Sequence, residues 1–259
     1  MYNIIAITGA NSGLGLELVK ALSPDVHNYI IHINGKEHGG FDFTKREEVF
    51  AAVRHVKNIT KVICYENGIP TNETYRILIN CAGVNYIEWF DQALWNEYDR
   101  LNAINFVAPI MLTQDLLGVK PPALLGDEEN WFQGSGAVVN IISNASHMAM
   151  TNSVFYNSTK GALHIATLAM ARELRKTHGL CVFGVSPNKL RSTGMSDYIE
   201  GRVPSLRGWT PEQAASYQLA ALPAGEETDP KELAEFLGYL LATPQRHKYL
   251  TNTVIPYGA

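Results

Sequence analysis

The chain has 259 residues, a formal net charge of −4, 46% hydrophobic residues and 18% charged residues. That apolar content is enough for one sizeable core, so we expect a single domain over 1–259. Lys and Arg never form a run longer than two, which excludes the basic stripe that nucleic-acid binding needs. The sequence starts without a basic leader, a cleavage site or a bilayer-length apolar stretch, so we expect a cytoplasmic protein without membrane contact.

The cysteines argue against a disulfide framework and against a metal site. Cys64, Cys81 and Cys181 are odd in number, widely spaced, and belong to no Cys-x-x-Cys or Cys/His cluster. We expect three reduced thiols in small, buried, apolar positions.

Short β-rich runs alternate along the chain with segments of helical periodicity. The strand candidates are 4–7, 29–33, 77–79, 137–142 and 181–185, and the helix candidates are 45–56, 95–117, 157–176, 211–222 and 230–241. This alternation predicts an α/β fold with a doubly wound, mostly parallel sheet flanked by helices. The segment 118–136, rich in Pro and Gly, is predicted to be an inserted loop.

The connection that follows the second predicted strand is unusually short. Only about seven residues separate the strand ending near Ile33 from the next strand candidate at 41–43, whereas a parallel crossover needs a dozen or more. We therefore predict a shortened region between the second and third strands. A bare loop with Gly35, Gly39 and Gly40 would replace the crossover helix.

A glycine-rich turn lies between the first strand and the first helix. It reads Thr8-Gly-Ala-Asn-Ser-Gly-Leu-Gly15. Glycines in this place permit a tight turn and let a pyrophosphate approach backbone N–H groups at the positive end of the helix. The turn indicates nucleotide binding, although any strand-to-helix turn can be rich in glycine.

Two further motifs carry acid–base chemistry. Tyr156 and Lys160 are one helical turn apart, so the phenol and the ammonium share a helix face. A nearby ammonium is expected to lower the tyrosine pKa toward the range of a working acid or base. Ser143 ends a predicted strand, where ligands of open α/β sheets bind.

Together these motifs resemble the short-chain dehydrogenase/reductase family in order and spacing. The resemblance rests on Thr8 to Gly15, on Asn80-Cys-Ala-Gly83, and on Asn105, Ser143 and the Tyr156 to Lys160 segment. It covers nearly the whole chain and implies a Rossmann-like fold. It also implies an oxidoreductase that exchanges a hydride between NAD(P)(H) and a carbonyl or secondary alcohol.

The resemblance assigns a role to each catalytic candidate. Tyr156 would exchange a proton with the substrate oxygen, and Lys160 would hold the nicotinamide ribose. Ser143 would polarise the carbonyl as a preorganised donor. Asn105 would anchor a water leading from Lys160 to solvent, with Asn102 as the rival for that role.

The resemblance also implies a set of cofactor-binding residues. Asp42 matches an acidic residue near the adenine, although a turn with Thr44 explains it nearly as well. The expected carboxylate after the second strand is replaced by Asn34, and Lys36 is close by, so NADP(H) is weakly favoured over NAD(H); Glu37 could reverse this. The full set is Gly9, Asn11, Ser12, Gly13, Leu14, Gly15, Asn34, Asp42, Asn80, Ala82, Gly83, Tyr156, Lys160, Pro187, Ser192 and Thr193.

The substrate side is less defined. A lid over about 192–224 is expected to cover a small-molecule carbonyl or alcohol, and Asn188 replaces the glycine that usually follows Pro187. Asn tolerates the left-handed conformation that such a turn can demand. The resemblance implies a homo-oligomer, a dimer or tetramer. The alternative is a catalytically silent NAD(P)-binding regulatory protein of the same fold.

Overall fold

The computed structural model describes residues 1–118 and 129–258. Its sheet consists of β1 (Tyr2–Thr8), β2 (Asn28–Ile33), β3 (Thr74–Asn80), β4 (Gly136–Ile141), β5 (Cys181–Pro187) and β6 (Val254–Tyr257), all parallel, in the order β2-β1-β3-β4-β5-β6. The helices are α1 (Gly13–Leu22), α2 (Arg46–Glu66), α3 (Trp95–Asn102), α4 (Ala108–Leu116), α5 (Val154–His178), α6 (Gly194–Arg207), α7 (Pro211–Ala220), α8 (Pro230–Leu241) and α9 (Pro244–His247). The predicted α/β fold with a parallel sheet is confirmed.

Apolar side chains cover both faces of the sheet, which is why the central strands are apolar runs and do not alternate with polar residues. On one face Ile4, Leu78 and Val138 pack with α2, α4 and α5. On the other face Ile5 and Ile77 pack with α1 and α8. The strands end at one edge, where Thr8, Asn80 and Pro187 lie, and that edge carries the loops that form the site described below.

The segment predicted as a strand at 41–43 is not a strand. A single parallel bridge joins Gly35 to Phe41, and a 3-10 turn over Lys36–His38 fills the connection. The Phe41 N–H donates to the Asn34 carbonyl at 2.9 Å, so the chain turns back immediately after β2. A loop this tight cannot return the chain along the sheet, and β2 remains the edge strand. The crossover from β2 to β3 is made by helix α2, so the predicted shortened region, with a bare loop in place of the crossover helix, is wrong.

Helix boundaries differ from the predictions mainly by extension. α2 continues past the predicted 45–56 because Thr60 and Cys64 prolong its buried face. The predicted helix at 95–117 contains a π-helical turn over Ala103–Val107. Pro109 has no N–H to donate to the carbonyl of Asn105 four residues earlier, which favours the wider turn.

Three elements, α6, α9 and β6, were not among the sequence predictions. Of the predicted loop at 118–136, residues 119–128 lie outside the described residues. Trp131 and Phe132, which follow them, are almost fully buried. Within 1–118 and 129–258, no helix is long and apolar enough to cross a membrane.

Candidate active site

A cleft of about 410 Å³ opens at the carboxyl ends of the strands. This is the place where open parallel α/β sheets bind ligands. The cleft brings together most of the residues that the sequence singled out. Those that line it are Gly9, Ser12, Gly13, Leu14, Gly15, Asp42, Ala82, Gly83, Ser143, Tyr156, Lys160, Pro187 and Thr193.

The glycine-rich turn is compact, and at two of its glycines neighbouring backbone lies too close to leave room for a side chain. Gly9 has a φ of 69°, and a Cβ on it would lie 3.1 Å from the Cα of Ala82. A Cβ on Gly15 would lie 2.1 Å from the carbonyl oxygen of Gly9, so no larger residue fits there. The first turn of α1 carries no acidic side chain, which leaves its positive end open to an anion.

Thr8 connects this turn to the loop after β3 by hydrogen bonds. Its Oγ1 accepts hydrogen bonds from the backbone N–H groups of Cys81 and Ala82, both at 2.9 Å. Thr8 is itself only 2% exposed. The sequence motif contained Thr8, but only the pairing of β1 with β3 shows that its hydroxyl joins the two loops beneath the cleft.

Ser143, Tyr156 and Lys160 form the floor of the cleft. The Lys160 Nζ donates to the Ile141 carbonyl at 3.0 Å and lies 5.9 Å from the centre of the Tyr156 ring. The Tyr156 hydroxyl points toward the Met195 Sδ at 3.9 Å. All three residues are buried, with Lys160 only 4% exposed. The two helical residues share a face of α5, as their spacing predicts.

Burial is the main cause of the pKa shifts of Tyr156 and Lys160. Burial raises the pKa of Tyr156, and hydrogen bonding with Ser143 works against that rise. Burial lowers the pKa of Lys160 to about 8. The expected net lowering of the Tyr156 pKa is wrong, because desolvation of the buried phenol is the largest cause of the shift and raises the pKa. Tyr156 is therefore a protonated phenol at neutral pH.

Asn105 supports the floor from behind and does not line the cleft. Its Oδ1 accepts from the Val84 N–H and its Nδ2 donates to the Val84 carbonyl, both at 2.9 Å. The same Nδ2 donates to the Thr159 hydroxyl at 3.2 Å. Asn105 is fully buried in the π-helical turn, whereas Asn102 is half-buried. The geometry thus places Asn105, and not its rival, between the loop after β3 and helix α5.

Several other predicted cofactor residues lie outside the cleft lining. Asn11 is exposed. Asn80 is buried and donates to Asn140 Oδ1 at 2.8 Å, within the sheet. Asn34 contributes its carbonyl to the turn after β2, and Ser192 has a φ of 53° just before α6.

Asn188 does not take the left-handed conformation that the sequence left open to it, since the positive φ of this connection falls at Ser192. The Asn188 side-chain amide instead donates to the Gly258 carbonyl at 2.7 Å and accepts from the Thr228 N–H at 3.1 Å. These hydrogen bonds, which a glycine could not make, connect the loop after β5 to two distant segments of the chain.

The connection between β2 and α2 builds one end of the cleft. Asp42 accepts from the Thr44 N–H at 3.1 Å and from the Thr44 hydroxyl at 2.5 Å, so the turn role is realised. The Lys36 Nζ lies 3.4 Å from the other Asp42 oxygen. These contacts lower the pKa of Asp42, with Thr44 as the main cause. Lys36 and Glu37 also line the cleft.

The opposite end of the cleft combines amide and apolar side chains that sequence reasoning did not single out as a set. Asn85, Asn144, Met195 and Ile199 line it beside Tyr156. Cys81, next to the glycine-rich turn, also lines the cleft, and burial raises the pKa of its thiol to about 12, so the thiol is neutral. Within the described parts of the chain, no group of three His, Cys, Asp or Glu side chains could hold a metal ion.

A model of the short chain dehydrogenase family matches residues 3–202. The chain belongs to the short chain dehydrogenase family. It is 29% identical over 258 residues to sorbitol-6-phosphate 2-dehydrogenase from Klebsiella pneumoniae, covering 96% of this chain and 92% of that one. It is 24% identical to L-xylulose reductase from Bos taurus, with the same two coverages. The predictions of the family and of an oxidoreductase are confirmed.

Solved structures of low sequence identity share the fold. A single-residue variant of actinorhodin polyketide ketoreductase with NADPH has a TM-score of 0.79 at 21% identity, over 99% of this chain and 96% of that one. L-sorbose reductase from Gluconobacter frateurii, solved with NADPH and L-sorbose, has a TM-score of 0.76 at 19% identity, over 100% and 96%. A 3-ketoacyl-(acyl-carrier-protein) reductase from Brucella melitensis was solved with NADH. Such structures show that this chain shares their fold.

Proposed function

We propose that this protein transfers a hydride between NAD(P)(H) and a small carbonyl or secondary alcohol, with Tyr156 as the general acid and base. One observation carries the proposal: Ser143, Tyr156 and Lys160 line a single cleft together with the glycine-rich turn. A buried, protonated phenol beside a serine hydroxyl has the chemistry to donate a proton to a developing alkoxide.

The residues of the cleft fit a dinucleotide. The turn at Gly9 and Gly15 leaves no room for side chains, and the N-terminus of α1 next to it is free of acidic groups in its first turn. These features suit a pyrophosphate. Asp42 would lie near the adenosine and Lys160 near the nicotinamide ribose. When bound, the nicotinamide would supply or accept the hydride.

The protein's own groups would handle the proton. In the reducing direction the Tyr156 hydroxyl gives its proton to the substrate oxygen, and in the oxidising direction the phenolate takes it back. The Ser143 hydroxyl, which donates a 3.3 Å bond to Asn144, turns to donate to the same oxygen. Lys160 returns protons to Tyr156, with Asn105 holding the loop and α5 in register.

A ketose and its alditol are the substrate pair that we favour. Sorbitol-6-phosphate 2-dehydrogenase and L-xylulose reductase are the named relatives, and L-sorbose reductase shares the fold. The Asn85 and Asn144 side chains line the substrate end and offer amide groups to hydroxyls. We further propose a preference for NADP(H), because Asn34 stands where a carboxylate is expected after β2 and Lys36 lines the cleft nearby, although its Nζ also lies 3.4 Å from Asp42.

Turnover of a matched panel tests the proposal. Sorbitol and xylitol with NADP⁺ or NAD⁺, and the corresponding ketoses with NADPH or NADH, are followed at the nicotinamide absorbance. We expect turnover of at least one pair and a lower KM with NADP(H). Saturable binding of a cofactor with no turnover on the polyol and ketose panel, nor on a wider panel of ketones, would favour the regulatory alternative and contradict the proposal.

A further inference from the structure

The residue after Ser143 is an asparagine that lines the same cleft. Asn144 is only 4% exposed and begins the 3-10 turn Asn144–Ser146. Its carbonyl accepts from the His147 and Met148 N–H groups at 3.1 and 3.0 Å, which fixes the backbone of this turn. Asn144 therefore has a defined position beside the proposed proton-transfer groups, although it takes no part in the proposed proton transfer.

The two ends of the Asn144 amide have different partners. The Oδ1 accepts from the Ser143 hydroxyl at 3.3 Å. The Nδ2 donates to no group within residues 1–118 and 129–258, and it is not sealed off from solvent. Since Asn144 lines the cleft, this N–H2 group is a donor that a ligand there can use. An unused donor on a buried side chain calls for an explanation, and a bound ligand would supply it.

Other polar side chains in the lining are already bonded within the fold. The Asn85 Oδ1 accepts from the N–H of the next residue at 2.7 Å. The Thr193 hydroxyl donates to a backbone carbonyl at 3.2 Å, and the Ser196 hydroxyl donates to a carboxylate at 2.8 Å. The Lys189 ammonium contacts two carboxylates and one amide oxygen, which accounts for its three N–H donors. These groups would have to give up a partner before they could bind a ligand.

Substrate binding would change the partner of the Asn144 Oδ1. Under the proposed function the Ser143 hydroxyl turns to the substrate oxygen, so the Oδ1 loses its donor. A buried acceptor without a donor costs free energy. Oxygens on neighbouring carbons are about one hydrogen-bond length apart, which is the scale of the 3.3 Å between Ser143 Oγ and Asn144 Oδ1. A hydroxyl on the carbon next to the carbonyl is therefore in a position to replace the lost donor.

We propose that Asn144 binds the hydroxyl next to the reacting carbon and so selects α-hydroxy ketones, and the matching vicinal diols, over simple ketones and alcohols. That hydroxyl donates to the Oδ1 in place of Ser143, and the Nδ2 serves an oxygen further along the substrate. An analogue without the hydroxyl leaves the Oδ1 unpaired, and sites built to bind a hydroxyl reject such analogues for this reason. The inference rests on the proposed function.

The decisive variant is Asn144→Leu, which keeps a similar size and removes both polar atoms of the amide. Hydroxyacetone and acetone differ by one α-hydroxyl and are compared at saturating reduced cofactor. Because this hydroxyl also activates the carbonyl chemically, the quantity to measure is the change in the ratio of their kcat/KM values between wild type and variant. We expect kcat/KM for hydroxyacetone to fall by about ten-fold or more, and that for acetone to stay within about two-fold of wild type.

A purely structural role of Asn144 would give a different result. Damage to the turn would lower kcat/KM for both ketones by the same factor, so a ratio that Asn144→Leu does not alter would overturn the inference. Asn144→Ala, with melting temperatures for both variants, repeats the test if the leucine does not fit. Asn58→Leu, the same substitution at an exposed position of α2 outside the cleft lining, should leave the ratio unchanged.

Binding keeps the test independent of turnover. Propylene glycol and isopropanol form ternary complexes with the reduced cofactor that cannot react, and the fluorescence of the bound nicotinamide reports their dissociation constants. We expect Asn144→Leu to shift the ratio of the two constants by about ten-fold in favour of isopropanol. An unchanged ratio would overturn the inference. A shifted ratio without turnover of any ketone would count against the proposed function alone.

Discussion

The floor of the cleft and the segment that follows β2 are built in different ways. The catalytic floor rests on strand ends and on α5, and its polar groups are buried and bonded to the backbone, as Lys160 is to Ile141. The end of the cleft that we propose for the adenosine is a short 3-10 turn at the sheet edge, where the exposed Lys36 side chain meets Asp42. Under the proposed function, acid–base chemistry therefore relies on buried groups, and cofactor preference relies on exposed charges, which contribute less energy.

The largest expected effect of a substitution in the floor of the cleft is at Lys160. Lys160→Met should lower turnover by at least about a hundred-fold, because proton return to Tyr156 is lost. The same change should raise the free energy of unfolding at pH 7 by about 1–3 kcal/mol, since it removes a buried charge. Chemical denaturation and steady-state assays measure the two effects.

The pH dependence of that stabilisation has a definite sign. The pKa of Lys160 is about 8 in the fold and 10.5 for an ordinary lysine, so the folded state binds fewer protons between these values. Wild-type stability from this group therefore rises with pH across that window, and the advantage of Lys160→Met shrinks from pH 8 to 10.5. Lys20→Met on the exposed surface of α1 is the control. An advantage that grows with pH would contradict the assignment.

A smaller effect is expected at the adenosine end. Lys36→Ala should weaken NADPH binding by about three- to ten-fold and leave NADH binding unchanged, because an exposed charge contributes little and is screened by salt. Nicotinamide fluorescence titration measures both affinities.

Lys45→Ala is the matched control for that change, since Lys45 lies 3.9 Å from the same Asp42 carboxylate but does not line the cleft. An equal loss for both cofactors, or the same loss in the control, would show that Lys36 does not read the 2′-phosphate.

The sequence predicted the floor well because its signals are local. Tyr156 and Lys160 are one helical turn apart, and the apolar runs that place Ser143 at a strand end are visible in the residues themselves. The shortened region after β2 and the strand at 41–43 were wrong, since β-rich composition does not show whether a neighbouring strand is within reach.

What the sequence did not indicate depends on contacts between distant residues. Glu200 on α6 and Glu227 in the segment before α8 come within reach of Lys189 only in the folded chain. The rise in the Tyr156 pKa depends on burial by surrounding elements, and the four-residue spacing from Lys160 alone predicted the opposite direction. Composition and periodicity give neither the burial of a side chain nor its partner across the fold.

The Tyr156→Phe variant isolates the proposed proton transfer by the Tyr156 hydroxyl. Single-turnover reduction of the ketose with the highest kcat/KM in the panel measures the hydride-transfer rate. Cofactor titration measures cofactor affinity separately. We expect the hydride-transfer rate to fall by about a thousand-fold or more, with cofactor affinity within about two-fold of wild type, while Tyr98→Phe in the neighbouring aromatic cluster leaves the rate unchanged. A Tyr156→Phe variant that turns over at the wild-type rate would show that another group carries the proton.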